Sequence, residues 1–242
     1  MTTPRFHVEA TLTPGARIEL PRDAAHHAIR VLRLHEADAV VLFDGSGGEY
    51  PSHILASSRD SVVVQVDSFN PVERESPLAV TLAQGISAGD RMDLTLQKAV
   101  ELGAYALQPL LAERSLVRLK GERGESRREH WQRVALSSCE QCGRNRVPRV
   151  GAAIPVGDYH PPAEGFRILL TPSGGTSLRS LSLPPGQPIV VAVGPEAGFS
   201  PKEEAFFVAS GFVPISLGKR VLRTETAGPA ALAALNALFG DG

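Results

Sequence analysis

The sequence predicts an α/β protein with two domains, a small β-barrel followed by a larger domain built on a mostly parallel sheet. Its 242 residues suit one small and one medium-sized domain. Short β-branched runs dominate the first part of the chain, whereas strand and helix patterns alternate in the rest. A polar segment that contains two prolines, 70–77, separates the two patterns. We therefore assign residues 1–72 to the first domain and 73–242 to the second.

The first domain contains mainly strand patterns. Apolar or β-branched runs predict strands at 17–20, 39–43, 48–50 and 61–66. The Asp-Gly-Ser-Gly sequence at 44–47 is typical of a turn between two of them. Asp23 is a candidate N-cap for a helix that runs to Leu32, because apolar residues follow it at helical spacing. These elements predict a small barrel with one helix.

The second domain alternates strands with helices, the pattern of a parallel sheet covered by helices. Apolar runs predict buried strands at 78–83, 104–111, 166–170, 189–193 and 213–217. Asp90 and Ser200 are N-cap candidates for two helices, and the Ala-rich run 227–239 is the last helix. Glu203 lies where it completes a capping box with Ser200.

The composition fits an ordinary globular protein, with 43% apolar residues. No stretch approaches the roughly 20 apolar residues that a membrane span needs. The start of the chain lacks the basic and apolar regions of a signal peptide. We therefore expect a cytoplasmic protein with no membrane partner.

Charge is unevenly distributed along the chain, although the net charge is −1. Segment 114–149 has nine Arg and one Lys against four Glu, whereas segment 36–76 has two Arg against eight acidic residues. A basic segment of this density commonly follows nucleic-acid phosphates. A solvated basic helix face, balanced by acids elsewhere, explains the composition equally well.

The only two cysteines, Cys139 and Cys142, are spaced C-x-x-C within a helical pattern. Two thiols cannot complete a four-ligand zinc site. We expect ordinary reduced side chains and no metal.

Glycine-bearing loops follow three predicted strands, at 171–175, 194–199 and 218–226. In open α/β sheets, ligands bind outside the carboxyl ends of the strands, so adjacent loops of this kind outline one pocket. Glycine there lets backbone amides approach a ligand without a Cβ. None of the loops contains G-x-G-x-x-G or G-x-x-x-x-G-K-[ST], which argues against a nicotinamide enzyme or a nucleotide triphosphatase.

Several strings, taken in order, carry a resemblance over nearly the whole chain. They are HHAIRVLRLHEADAVVLFDGSGGEY, GDRMDLTLQKAVELGA, AERS, CEQCGRNRVP, VGPEAGFSPKE and LGKRVLRTETA. With them the chain resembles the bacterial small-subunit ribosomal RNA uracil-N3 methyltransferases, members of the SPOUT class. The resemblance implies a C-terminal trefoil-knot domain, an N-terminal PUA-like RNA-binding domain and a homodimer.

The resemblance also implies S-adenosyl-L-methionine as the methyl donor and N3 of a specific uridine in 16S ribosomal RNA as the target. The partner is then ribosomal RNA or the small ribosomal subunit. A knotted methyltransferase for another RNA and a noncatalytic RNA-binding relative are the alternatives. By position, the cofactor site comprises Leu170, Thr171, Gly194, Pro195, Glu196, Gly198, Leu217, Gly218, Leu222, Thr224, Thr226 and Ala227. The arginines that we place on RNA phosphates are Arg5, Arg30, Arg33, Arg114, Arg144 and Arg146.

Methylation at N3 of uracil requires the N–H proton to leave, because the lone pair must point at the methyl group. A guanidinium beside O2 or O4 stabilises the developing anion, and Arg223 is the first candidate, with Arg220 the second. Glu225 would orient that arginine or accept the proton. The structural alternatives are an Arg223–Glu225 ion pair that only holds the loop, and Glu196 as a helix-dipole partner before Ser200.

The chain departs from the family pattern at two places. Ala197 stands where a glycine is expected; alanine adds one methyl, so the departure bears on a positive-φ requirement there and not on cofactor binding. Ser87 and Ala88 stand where a lysine is usual, and we expect Arg91 to replace its RNA contact.

Overall fold

The computed structural model describes residues 3–117, 119, 121–172, 175–183 and 186–242. Ser173 and Gly174 of the first expected loop, and Arg118 and Lys120 of the basic segment, lie outside the described residues. Contacts divide the chain into two units. The first comprises the residues up to Glu75 together with Cys139–Val147, and the second comprises Ser76–Ser138 and Pro148–Gly242. The division lies three residues beyond the boundary expected from the linker, and the sequence pattern did not indicate the added segment 139–147.

The first unit is built on a five-stranded sheet in the order β1-β3-β4-β5-β2. Its strands are β1 (Arg5–His7), β2 (Arg17–Glu19), β3 (Ala39–Phe43), β4 (Tyr50–Ser57) and β5 (Val62–Val66). Strand β1 pairs in parallel with β3, and the other neighbours are antiparallel. Alternate residues of β3, β4 and β5 point into one apolar core, which includes Phe6, Leu42, Ile54 and Val64.

The sequence patterns located three of these strands, and two details differ. The three-residue strand β1 was not predicted, and the strand expected at 48–50 begins at Tyr50 and continues to Ser57. The expected helix divides into α1 (Arg22–His26) and a π-helical turn (His27–Val31). A π-helical turn is frequently found at functional sites. Arg33, just after it, adopts a left-handed backbone with φ 56°.

The second unit is built on an eight-stranded sheet in the order β11-β13-β10-β12-β6-β7-β8, with β9 also paired to β7. All of its pairings are parallel. The strands are β6 (Val80–Gly85), β7 (Ala106–Leu111), β8 (Arg149–Val150), β9 (Ile154–Pro155), β10 (Phe166–Leu170), β11 (Thr176–Ser177), β12 (Ile189–Val193) and β13 (Val213–Ser216). Buried residues on one face of this sheet, among them Val190 and Leu169, form a core with Phe207.

Longer helices occur in the chain after β6. They are α2 (Asp90–Glu101), α3 (Glu122–Cys142), α4 (Pro201–Ala209) and α5 (Thr224–Phe239). The expected capping box is present, because Ser200 Oγ accepts the Glu203 N–H and the Glu203 carboxylate accepts the Ser200 N–H. Helix α2 begins at Asp90, but its N-cap is Gly89. Helix α5 begins at Thr224, three residues earlier than expected.

Within the described ranges, no helix has the length and apolar character to cross a membrane.

Candidate functional site

Three strand-end loops meet at one edge of the second sheet. Strands β13, β10 and β12 are adjacent and parallel, so the β10 loop (171–175), the β12 loop (194–199) and the β13 loop (217–223) follow neighbouring carboxyl ends. They enclose a cavity of about 360 Å³. That volume lies in the range of small-ligand sites. The structure therefore brings together the loops that the sequence pattern placed in one pocket.

Most of the residues expected around a cofactor line this cavity. Those that do are Leu170, Thr171, Gly194, Pro195, Glu196, Gly198, Leu217, Leu222, Thr224 and Ala227. Gly218 and Thr226 lie outside the wall: Gly218 forms an exposed turn with φ 118°, and Thr226 faces solvent from the first turn of α5. Arg220, Arg223 and Glu225 line the cavity as well.

The residues named as the expected cofactor site do not make up the whole wall, although Pro172, Phe199 and Val221 lie in the loops expected there. The additional lining residues are Arg91, Pro172, Val193, Phe199, Glu204, Ile215, Ser216 and Val221. Val193 and Ser216 are the last residues of β12 and β13, so reading the strand ends as part of the site would have found them. Arg91 and Glu204 come from the first turns of α2 and α4, and no loop pattern indicates them.

A buried hydrogen-bond network joins three elements beneath the cavity. Gln84 Nε2, at the end of β6, donates to Thr224 Oγ1 at 2.9 Å, and Thr224 Oγ1 donates to the Gly194 carbonyl at 2.7 Å. Gln84 is 1% exposed, and its Oε1 has no hydrogen-bond partner in the part of the chain that the structure describes. A Cβ on Gly85 would lie 2.5 Å from Pro195 Cδ, so only glycine permits this approach. The network fixes the start of the β12 loop against α5.

Glu196 connects the β12 loop to the start of α2. Its Oε1 accepts the Ala88 N–H at 2.8 Å and lies 3.1 Å from Arg91 Nη1. Burial acts to raise the pKa of Glu196, but hydrogen bonds from backbone amides, including that of Ala88, and from Arg91 outweigh it. The net pKa is below the ordinary value. The Glu196 carboxylate therefore accepts a hydrogen bond from an amide beside α2, whereas the structural alternative from the sequence placed it at the start of α4. Arg91 forms an ion pair with the same carboxylate.

The β12 loop accommodates Ala197 without backbone strain. The left-handed residue of the loop is Gly198, with φ 70°, and the only non-glycine residues with positive φ in the described ranges are Arg33 and Ala37. The replacement of the expected glycine thus has no conformational cost. The carbonyls of Ala197 and Phe199 accept hydrogen bonds from Arg114 Nη1, at 3.4 and 3.2 Å.

The β13 loop carries the candidate catalytic side chains at the mouth of the cavity. The Arg223 side chain is 80% exposed, whereas that of Glu225 is 15% exposed. Arg223 Nη1 lies 4.0 Å from Glu225 Oε1, which is longer than a hydrogen bond. An ion pair this loose and exposed contributes little to holding a loop. Arg220 is also exposed.

The arginines expected on RNA phosphates fall into two groups. In the first unit, Arg5 hydrogen-bonds Glu49 and Asn145, while Arg144 pairs with Glu75; both arginines are largely buried. The guanidinium groups of Arg5 and Arg144 thus neutralise protein carboxylates, and a phosphate contact by either arginine stays a prediction.

The remaining arginines of that set are more accessible. Arg30 and Arg33 are exposed beside the π-helical turn. Arg146 is about half exposed, with its Nη2 3.5 Å from Glu73 Oε1. Arg114 belongs to the second unit and bonds the β12 loop. Arg30, Arg33 and Arg146 thus remain available to phosphates.

The two cysteines are free thiols in the first unit. Burial raises the pKa of Cys139 to about 12, so this thiol stays protonated. The described residues contain no cluster of three or more His, Cys, Asp or Glu side chains suited to a metal ion.

A parallel sheet whose strand-end loops enclose a cavity, together with a curled five-stranded sheet, is the architecture that this chain shares with similar SPOUT-class methyltransferases that have a PUA-like domain. The family described as RNA methyltransferase domain matches residues 74–236, and the family described as RNA methyltransferase PUA domain matches residues 20–67.

Similar proteins have a more particular description. The ribosomal RNA small subunit methyltransferase E of Bacillus subtilis is 31% identical, over 96% of this chain and 95% of its own. The solved structure of that enzyme from Neisseria gonorrhoeae, bound to S-adenosyl methionine, is 38% identical over 99% of both chains with a TM-score of 0.91. A Legionella pneumophila methyltransferase in complex with the same cofactor is 35% identical over 100% of both chains, with a TM-score of 0.95. The chain therefore belongs to the family of ribosomal RNA small subunit methyltransferase E, and the predicted fold class is confirmed.

Proposed function

We propose that this protein transfers the methyl group of S-adenosylmethionine to N3 of one uridine in the 16S ribosomal RNA of the small subunit. The observation that carries the proposal is the cavity formed by the β10, β12 and β13 loops, with two exposed arginines at its mouth. The names of similar proteins supply the ribosomal RNA, and two solved structures of relatives contain the cofactor.

The cavity suits S-adenosylmethionine in shape and chemistry. Val193, Ile215 and Leu222 provide apolar wall for an adenine ring, and backbone groups of the three loops surround it. Glu196, Glu204 and Glu225 place carboxylates around a cofactor that carries a sulfonium and an ammonium charge. The sulfonium already activates the methyl group, so this scheme uses no metal.

Side chains of this protein then activate the uracil for methyl transfer. When bound, S-adenosylmethionine supplies an activated methyl group on its sulfur. The Arg223 guanidinium lies at the mouth of the cavity, where it hydrogen-bonds a uracil oxygen and stabilises the anion formed as the N3 proton leaves. Glu225, mostly shielded from water and 4.0 Å away, orients that guanidinium or accepts the proton. Arg220 on the same loop is the second candidate for the guanidinium role.

RNA is held mainly by charge and hydrogen bonds, because aromatic residues make up only 5% of the chain. In the first unit, Arg30 and Arg33 flank the exposed Val31 and Leu32, and this basic surface binds phosphates. Arg146 adds a further cation to that unit. The partner is ribosomal RNA or the small subunit, and the active form is a homodimer.

The decisive test is the methylation state of 16S ribosomal RNA in a strain that lacks this protein. Mass spectrometry should show one uridine lighter by a methyl group, and purified protein with S-adenosylmethionine should restore the modification. Calorimetry should show cofactor binding in the presence of a chelator. An unchanged RNA mass, or no binding of S-adenosylmethionine or its demethylated product to folded protein, would remove the proposal.

A further inference from the structure

The β12 loop is held at both ends by side chains from other elements. At its start, the Gly194 carbonyl accepts a hydrogen bond from Thr224 Oγ1. At its end, the Ala197 and Phe199 carbonyls both accept from Arg114 Nη1. The loop also closes on itself, because the Gly198 N–H donates to the Pro195 carbonyl at 2.8 Å. Hydrogen bonds to these carbonyls fix the backbone of the loop.

The turn that carries Arg114 is itself fixed on two sides. Ser115 Oγ donates to the Ile86 carbonyl at 2.7 Å, and the side chain of Ser115 is buried. The Glu113 N–H donates to Glu203 Oε1 at 2.8 Å. Glu203 also caps α4, the helix that follows the β12 loop. The backbone of Arg114 is therefore anchored to the β6 end and to α4.

Arginine suits this position. Each terminal nitrogen of its guanidinium carries two N–H groups, so Nη1 alone reaches two carbonyls while the rest of the group faces solvent. A lysine ammonium has three donors, but its flexible stem lacks the planar, preorganised group, so it loses more side-chain freedom for each hydrogen bond that it forms. Because Arg114 is exposed, loss of this contact leaves no buried unpaired charge.

We propose that Arg114 is a positioning residue that holds the β12 loop in the conformation that receives the cofactor, and that it does not bind an RNA phosphate. This inference rests on the proposed function for the identity of the ligand. The guanidinium acts through the Ala197 and Phe199 carbonyls and touches neither reactant. Preorganisation of a binding loop lowers the cost of ordering it when the ligand arrives. Arg114 thereby contributes to cofactor affinity.

Three variants test this: Arg114→Ala, Arg114→Lys and, as the matched control, Arg127→Ala. Arg127 is an exposed arginine of α3 in the same basic segment. Calorimetry with S-adenosylhomocysteine should show affinity about three- to tenfold weaker for Arg114→Ala, an intermediate loss for Arg114→Lys and no change for Arg127→Ala. Turnover at saturating S-adenosylmethionine should stay near that of the native protein, so that the KM for the cofactor rises while kcat does not fall.

Two further measurements distinguish a loop-positioning role of Arg114 from an RNA-phosphate contact. Amide hydrogen exchange across 195–200, without any ligand, should be faster in Arg114→Ala than in the native protein and unchanged in Arg127→Ala. Affinity for a 16S ribosomal RNA fragment should be the same for native protein and Arg114→Ala, with the same salt dependence. Unchanged exchange and cofactor affinity, or a salt slope lowered by about 0.7–0.9 as expected for one lost phosphate contact, would overturn it. If native protein binds no cofactor, the proposed function fails, and the exchange experiment still decides whether Arg114 holds the loop.

Discussion

The β12 loop and the β13 loop border the same cavity but are built in opposite ways. The β12 loop has its carbonyls at Gly194, Ala197 and Phe199 engaged by side chains from outside the loop. The β13 loop has a local Ser216–Gly218 turn, and its tip is exposed, including Val221 at 77%. We infer that the β12 loop is preorganised to bind the cofactor, whereas the β13 loop presents charged side chains to the RNA.

The largest expected effect is a loss of turnover when Arg223 of the β13 loop is replaced. Arg223→Lys keeps the charge but loses the planar donor geometry, so turnover should fall about a hundredfold or more, whereas cofactor affinity and melting temperature stay unchanged. Arg223→Ala should be lower still. Steady-state kinetics and calorimetry on the same preparations check this. Near-normal turnover in Arg223→Lys would contradict the catalytic assignment, and a shared loss of cofactor affinity in Arg223→Ala and Glu225→Gln would favour the loop-holding ion pair.

The next largest effect is expected for cofactor affinity when the hydrogen bond from Thr224 to the β12 loop is removed. Thr224→Val removes the donor to Gly194 and one acceptor of Gln84, whose Nε2 keeps its bond to the Gly85 carbonyl at 3.0 Å. Each lost hydrogen bond costs about 0.5–1.5 kcal/mol. Cofactor affinity should fall about tenfold, and the melting temperature should drop. Thr226→Val, two residues along the same helix and exposed, is the matched control and should change neither. Equal losses in both variants would mean that Thr226 belongs to the site after all.

A smaller effect should appear in the pH dependence of cofactor affinity. Because the folded-state pKa of Glu196 is below its ordinary value, the carboxylate is ionised across the neutral range. Its stabilising contacts are complete above the ordinary glutamate pKa and are lost as the pH falls through the lower folded-state pKa. Affinity measured by calorimetry should therefore be flat from neutral pH down to the ordinary carboxyl range. Glu196→Gln should bind a few times more weakly at neutral pH, and a decline of native affinity already near neutral pH would argue against this origin.

The smallest effect is expected for Ala197→Gly. Ala197 does not adopt a left-handed backbone, so restoring glycine relieves no strain. Cofactor affinity should remain within about twofold of the native value, because glycine adds only unfolded-state entropy. A clear gain in affinity would show that the methyl group obstructs the ligand.

The sequence predicted most of the fold because its signals are local. Apolar runs located β10 and β12 to the residue, and the Ser200 capping box located the start of α4. The three-residue strand β1 is too short to give a period. The general geometry of parallel sheets placed the three loops in one pocket, and the resemblance supplied the individual residues expected around the cofactor.

Long-range charge pairing was not predictable in the same way. Arg5 and its partner Glu49 are 44 residues apart, and Arg144 and Glu75 are 69 apart. A basic residue that neutralises a distant carboxylate has the same local sequence as one that faces a phosphate. Composition therefore left the two interpretations of the basic segment open, and only tertiary contacts distinguish the buried Arg144, paired with Glu75, from the exposed Arg146.

The first unit is discontinuous, and this limits how it can be exchanged between proteins. Segment Cys139–Val147 supplies Asn145 to Arg5 and supplies Glu140, whose carboxylate accepts the His7 N–H at 3.0 Å. Burial raises the pKa of Glu140, although the His7 N–H and Arg5 oppose this. A fragment cut at residue 72 would lack Glu140 and Asn145, the partners of the His7 N–H and of Arg5. An N-terminal segment taken from another protein would have to match the nine residues Cys139–Val147, which are encoded far downstream. We therefore expect the N-terminal segment and Cys139–Val147 to be inherited together.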